Sequence, residues 1–341
     1  MRKILYFLVI LAAGFFLLAF FAWQRYSAVL NAPLAISEDY HLTVAAGQGL
    51  SNVAQHLKAD GLIDRVEWLK ILARRQGNAD QIKAGQYQFP PGTTLQQLYD
   101  MLIEGKVVLE QITVPEGYTF RQMLAVIHAK PTITATLKNK SDKEIMRILG
   151  LDGQHPEGQF LPETYRFAAG TEDLAILRQA LAAMQSVLQQ AWAQKSADSE
   201  LQSAYEALIL ASIIEKETGV FDEQATIAGV FNARLKKGMR LQTDPTVIYG
   251  MGSAYNGNIR KKDLQTDTPY NTYTRSGLPP TPIALPGKNA IYAAVNPEKH
   301  NKLYFVATGK GDGRHYFSAT LEEHNQAVQR YLRRYRQNQN N

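Results

Sequence analysis

The apolar positions of this chain change their rhythm several times. From Ile4 to Trp23 the run is unbroken and uncharged, and about 20 such residues match the hydrocarbon core of a bilayer. A repeated pattern follows. Gly47 leads to Leu50, Val53 and Leu57; Gly92 to Leu95, Leu98 and Leu102; Gly117 to Phe120, Met123 and Ile127. Each time an extended apolar piece ends at a glycine turn and apolar residues recur at helical spacing, which predicts a strand, a turn and an amphipathic helix. Val66 to Arg75 predicts another helix, and the alternation from Ala84 to Phe89 a strand. Further helices are predicted over 145–149, 173–195 and 225–235, with a closing helix over 321–334. Leu303 to Ala307 and His315 to Ser318 read as a hairpin across the Gly309–Gly313 turn.

One helical stretch, Leu208 to Thr218, is apolar on nearly every face and is predicted to be buried. Two acids enter its last turn, and Gly219 stands as its natural stop. At about 100° per residue Glu217 shares a stripe with Leu210, Ile213 and Ile214, whereas Glu215 points over Ala211 and Ser212. Glu217 is therefore the carboxyl expected to face apolar surroundings. Burial and the negative end of the helix dipole would both raise its pKa. A carboxyl protonated near neutral pH is what a general acid requires, for example in cleaving a glycosidic bond. The competing reading is a helix-end acid that pairs with a cation or reaches water.

Composition narrows the classes. The chain of 341 residues has no cysteine, which excludes disulfides, thiolate zinc sites and thiol catalysis. Its seven histidines form no ligand-spaced cluster, and nothing calls for a metal or organic cofactor. The net charge of +6 suits an acidic polymer or an anionic membrane surface. Arg2 and Lys3 precede the apolar run; Arg25 alone follows closely, before Glu38 and Asp39. The positive-inside rule then places the N-terminus in the cytoplasm and the rest of the chain outside, as a single-pass signal anchor with Trp23 and Tyr26 at the interface. Export of the bulk of the chain argues against a nucleic-acid partner.

Three polar stretches carry further candidate chemistry. Pro156 to Tyr165 is dense in Gly, Pro and aromatics, reads as a shaped loop, and holds a second candidate acid, Glu163. Met239 to Gly250 and Thr268 to Pro280 mix amides, hydroxyls and tyrosines in tight loops. Such side chains suit sugars, whose ring faces stack on aromatics and whose hydroxyls need amide partners. Each stretch is also compatible with ordinary loop chemistry.

Taken together, Glu157-Gly158 through Tyr165, Ser212 to Thr218, Arg240 to Gly250, and Tyr270-Asn271-Thr272-Tyr273 with Gly277-Leu278-Pro279-Pro280 resemble the endolytic murein transglycosylase (YceG-like) family. The region from the first repeat to Phe89 also resembles a LysM-like module. The resemblance implies an α+β chain of six parts: residues 1–3 in the cytoplasm, a transmembrane helix over 4–23, a tether over 24–40, a LysM-like module over 41–107, a mixed α/β catalytic domain over 108–336, and a frayed tail over 337–341. It implies an inner-membrane enzyme that cleaves between N-acetylmuramic acid and N-acetylglucosamine within peptidoglycan strands, leaves a 1,6-anhydro end, and works beside peptidoglycan synthases. The second Glu of the E-K-E-T motif, Glu217, is implied as the catalytic acid. Gln242, Asp244, Tyr270, Asn271, Tyr273 and Glu163 are candidate substrate-binding groups. The alternatives are a hydrolytic muramidase that pairs Glu217 with Glu163 or Asp244, and a membrane-tethered glycan-binding scaffold without catalysis.

Overall fold

The computed structural model describes residues 2–45 and 47–339. The chain is mixed α+β, mostly helical, with three two-stranded sheets among the described residues. It divides into two compact units. One holds the residues up to Glu110 together with Arg166–Gly170; the other holds Gln111–Tyr165 and the residues from Thr171 onward.

In the first unit, α1 (Arg2–Asn31) is one continuous helix. Its apolar part is exposed along its length, with Phe15, Phe16 and Leu18 at 69–73%. The helix takes up nearly half of the expected tether: it runs past Trp23 to Asn31 because Tyr26 and Leu30, one turn apart, are buried in the core of the unit. Then come β1 (Tyr40–Val44), α2 (Leu50–Ala59), α3 (Val66–Gln76), β2 (Gly85–Phe89) and α4 (Leu95–Glu104). β1 and β2 pair antiparallel, Tyr40 opposite Phe89 and Val44 opposite Gly85. The strand–helix–helix–strand order thus closes on itself, and Leu42, Val44, Tyr87 and Phe89 face Val53, Leu57, Leu69 and Leu98 in one core. α4 is held at its start by Thr94, whose hydroxyl accepts the Gln97 N–H while the Gln97 side chain returns to the Thr94 N–H.

The second unit begins in β3 (Leu109–Thr113), whose Thr113 hydroxyl lies 2.9 Å from that of Thr164 in β4 (Thr164–Ala168). β4 corrects the expectation of an irregular segment through Tyr165: the loop ends at Glu163. α5 (Phe120–His128) repeats the α4 device, with Thr119 and Gln122 as the reciprocal cap. α6 (Asp142–Ile148) and α7 (Asp173–Ala193) follow. α8 (Ala204–Glu217) is the centre of the unit, buried without interruption from Ala207 to Ile214. α9 (Phe221–Lys236), α10 (Asp244–Met251), the short α11 (Lys261–Gln265) and α12 (Lys288–Val295) surround or adjoin it. α8, α9 and α12 bury Leu210, Ile213, Phe231, Ile291 and Val295 in a shared core. Each large side chain so buried contributes about 1.5–3 kcal/mol. β5 (Tyr304–Ala307) and β6 (His315–Ser318) form the expected hairpin, although β5 is only partly buried. α13 (Leu321–Gln339) continues past Arg334, so the described part of the tail expected to fray is helical.

Candidate active site

The end of α8 departs from expectation in two ways. The helix stops at Glu217, and Thr218 caps it in an extended conformation, its N–H reaching the Ile214 carbonyl; Gly219 is not the left-handed stop. Both acids of the last turn are sheltered. Burial pushes the Glu217 carboxyl up to about 7, helped by the negative Asp244 and opposed by Thr243 and Arg234. Glu215 also rises to about 7, from burial first and then from Glu116. Its Oε2 accepts the Gly287 N–H at 3.0 Å, at the start of α12. A Cβ on Gly287 would lie 1.8 Å from Glu116 Oε1, so a larger residue there must displace the Glu116 side chain.

Glu217 opens on a cavity of about 380 Å³ that Arg234, Gln242, Asp244, Tyr273, Tyr304 and His324 also line. Thr243 donates its hydroxyl to Glu217 Oε1. Among the described residues no group bonds Oε2. Thr243 is fixed from behind: its N–H donates to the Thr272 hydroxyl at 3.1 Å, and Thr246 donates to its carbonyl at 2.7 Å. Asp244 opens α10 and accepts the Tyr273 hydroxyl at 2.6 Å. A carboxylate suits the first turn of a helix, and the tyrosine bond fixes it near Glu217. Gln242 carries the single positive φ among the described non-glycine residues, +51°. A non-glycine residue held there stores backbone strain of about 1 kcal/mol or more, and such strain clusters at functional sites. Arg234 sits buried behind the cavity, its guanidinium donating to the carbonyls of Leu303 and Leu241.

A second cavity, of about 790 Å³, adjoins the other side of the α8 terminus. Lys216 lines it, as do Phe120, Gln122, His155, Ile248, Tyr249 and Tyr270. Tyr249 and Tyr270 meet edge to face with centroids 4.9 Å apart. Its wall carries Glu157, 4% exposed, whose carboxyl burial also raises to about 7. Oε1 accepts the Phe120 N–H at 2.8 Å and Oε2 the Tyr249 hydroxyl at 3.2 Å.

Of the residues singled out in the sequence, Glu217, Gln242, Asp244 and Tyr273 share one cavity. Tyr270 lines the other cavity. Asn271 lines neither: it is 1% exposed, and its amide donates to the carbonyls of Asp263, Leu264 and Thr266 while its Oδ1 accepts the Tyr273 N–H. It shapes the loop that presents Tyr273. Glu163 is exposed and accepts its own neighbour's N–H, that of Thr164, at 3.0 Å. The stretch from Met239 to Gly250, expected as a loop, is half helix, because Thr243-Asp244-Pro245 starts α10 with Pro in its first turn. Sequence reasoning passed over Thr243, Arg234 and Glu157. Thr243 had a signal, its position before Asp244-Pro245 at a helix start; Arg234 had one as well, falling at helical spacing from Ile227, Val230 and Phe231; Glu157 had none in spacing or periodicity. No group of three or more His, Cys, Asp or Glu among the described residues is arranged to hold a metal ion.

Comparison with known proteins bears on this arrangement. Residues 42–330 match the model of the YceG-like family. A Bacillus subtilis protein named endolytic murein transglycosylase is 31% identical over 309 residues, which cover 86% of this chain and 84% of the relative. A Streptococcus pneumoniae protein of the same name is 27% identical over 364 residues, 96% of this chain and 64% of that longer relative. The crystal structure of a YceG-like protein from Listeria monocytogenes is 31% identical, with a TM-score of 0.53 over 85% of this chain and 99% of its own.

Proposed function

The chain belongs to the YceG-like family, and from that membership we propose that it is a membrane-anchored lytic transglycosylase that cuts inside peptidoglycan strands. The carrying observation is Glu217: a carboxyl raised to about 7 at the end of a buried helix, in the lining of a cavity, with one oxygen held by Thr243 and the other without a partner among the described residues. Protonated Glu217 gives its proton to the glycosidic oxygen as the bond between N-acetylmuramic acid and N-acetylglucosamine breaks. The resulting carboxylate, favoured by the Thr243 hydroxyl, takes the proton from the muramic acid C6 hydroxyl as that oxygen closes onto C1. The product is a 1,6-anhydro end, and the acid returns to its starting state. Asp244 supplies negative charge that helps an oxocarbenium-like centre form. The two cavities flanking the α8 terminus suit an enzyme that must accommodate sugars on both sides of the cut. The exposed apolar part of α1 is the membrane anchor, with the N-terminus cytoplasmic and both units outside. Nascent strands leaving peptidoglycan synthases are the proposed substrate pool, with cleavage terminating their elongation; the first unit is the LysM-like part.

One observation favours a second reading. Asp244 lines the same cavity as Glu217, so a two-carboxylate muramidase is the alternative. Digestion of purified peptidoglycan by the full chain in detergent, followed by mass spectrometry, decides between them. Anhydro ends from the parent and none from Glu217→Gln support the transglycosylase. Reducing ends support hydrolysis. Products that persist in Glu217→Gln would remove this residue from the mechanism.

A further inference from the structure

A second built cavity lies in the first unit, at the place where α1 leaves its exposed apolar stretch. It measures about 480 Å³ and is lined by Ala19, Ala22, Trp23 and Tyr26 of α1 together with Arg25, and by Arg65, Trp68, Ile71 and Arg75 on or beside α3. Arg25 comes from α1 and Arg65 and Arg75 from the two ends of α3, and all three line the one cavity. None of them makes an ion pair among the described residues. Arg75 is held over the Trp23 ring at 4.7 Å, a cation–π contact that fixes the direction of its guanidinium. The acid beside them, Asp64, accepts the Trp68 indole N–H at 2.9 Å. Tyr26 is 8% exposed, and its hydroxyl is an unsatisfied donor among the described residues. Trp23 and Ile71 stay 52% and 45% exposed on the rim.

We infer that this cavity binds the phosphate headgroup of an anionic membrane lipid, with the lipid's chain lying along the Ala19–Ala22 face of α1. The inference rests on reading α1 as a membrane span. Two features commit the site to a lipid. Its apolar wall is continuous with the exposed face of the span, where acyl chains would lie, and its polar groups are guanidiniums, which bind phosphate oxygens through paired N–H bonds. Tryptophans at the rim match the headgroup level of a bilayer. The site would fix the rotation and height of the first unit on the membrane surface, beyond the cleavage reaction itself.

The test uses the full chain in nanodiscs of phosphatidylcholine with one-fifth phosphatidylglycerol. Lipid retained after release is read by native mass spectrometry, beside the variant Arg25→Gln/Arg65→Gln/Arg75→Gln. The parent is expected to retain phosphatidylglycerol in preference to phosphatidylcholine, and the variant to lose that preference by about tenfold or more. Equal retention of the two lipids by the parent, or an unchanged preference in the variant, overturns the inference. Displacement of the lipid by millimolar inorganic phosphate alone would assign the site to free phosphate and overturn it as well. Failure of the parent to incorporate into discs, read separately by co-elution, would sink the membrane reading of α1 and the inference with it. The variant's far-UV spectrum and product yield on soluble strands are expected to match the parent's, so that a folding defect is recognised as such.

Discussion

The cavities on the two sides of the α8 terminus each hold a carboxyl that burial raises to about 7, yet their acids are differently placed. Glu157 has both oxygens occupied, by the Phe120 N–H and the Tyr249 hydroxyl, and is almost fully enclosed. Glu217 lines its cavity with one oxygen held by Thr243 and the other without a partner among the described residues. A third buried acid, Asp173, completes the series. Burial pushes it up, but hydrogen bonds from the Thr136 hydroxyl, the Leu137 N–H, His128 and the Thr136 N–H outweigh this and hold it below the usual carboxylate range. Burial therefore sets only the starting point. The number of donors decides whether the charge is tolerated, and an unoccupied oxygen decides whether the proton can be delivered.

The comparison breaks most visibly in turnover. Glu217→Gln is expected to lower the yield of anhydro ends by about 10²–10⁴-fold, whereas Glu157→Gln should stay within about tenfold of the parent. Product counting by mass spectrometry reads both, and the reverse order would exchange their roles. Next in size is Asp173→Ala, which strips five donors, the Leu174 N–H among them, of their shared acceptor. Its cost is expected to be about 3 kcal/mol or more in denaturant unfolding, and a loss under 1 kcal/mol would make the cluster dispensable.

Stability against pH sharpens the same contrast. Glu157 rises from an ordinary 4.5 to about 7 in the folded state. Between those values the folded chain binds more protons than the unfolded one, so stability is full below 4.5 and is lost as pH rises through about 7. Glu157→Gln, which cannot ionise, should recover about 1–3 kcal/mol of the difference between pH 5 and pH 8. An unchanged slope in unfolding titrations would show that Glu157 is not the group responsible. The smallest effect concerns the alkaline limb of activity, where protonated Glu217 is lost. Thr243→Val removes a donor that favours the carboxylate, so the limb should move to higher pH. Asp244→Asn removes a negative neighbour, so it should move to lower pH. A pH–rate profile in which both variants shift the same way would contradict the electrostatic assignment.

The sequence exposed what is local. The three glycine-led repeats were legible because a turn residue and the spacing of apolar residues are written side by side, and in the second and third Thr94 with Gln97 and Thr119 with Gln122 cap the helix from within. Burial of Glu217 was legible because it lies on the stripe of Leu210, Ile213 and Ile214. Burial of Glu215 was not, because what encloses it is Gly287 and Glu116, chain segments about 70 and 100 residues away. Glu157 stands in a loop, where no period marks the inward side. Asn271 looked like a sugar-binding amide, but three carbonyls of its own loop claim its donors. A tether was expected over 24–40, yet Tyr26 and Leu30 carry the helix onward into a core that local spacing does not reveal.

With α1 read as the proposed membrane anchor, its continuity has a mechanical consequence. Its 30 residues span about 45 Å, and a bilayer core takes about 30 Å of that. The remaining turns end inside the first unit's own packing, so the span acts as a strut and not as a leash. One residue inserted between Trp23 and Tyr26 would turn that unit by about 100° and raise it by about 1.5 Å, whereas a flexible linker would absorb the change without trace. The first unit therefore has a heading relative to the membrane, written in the phase of a single helix.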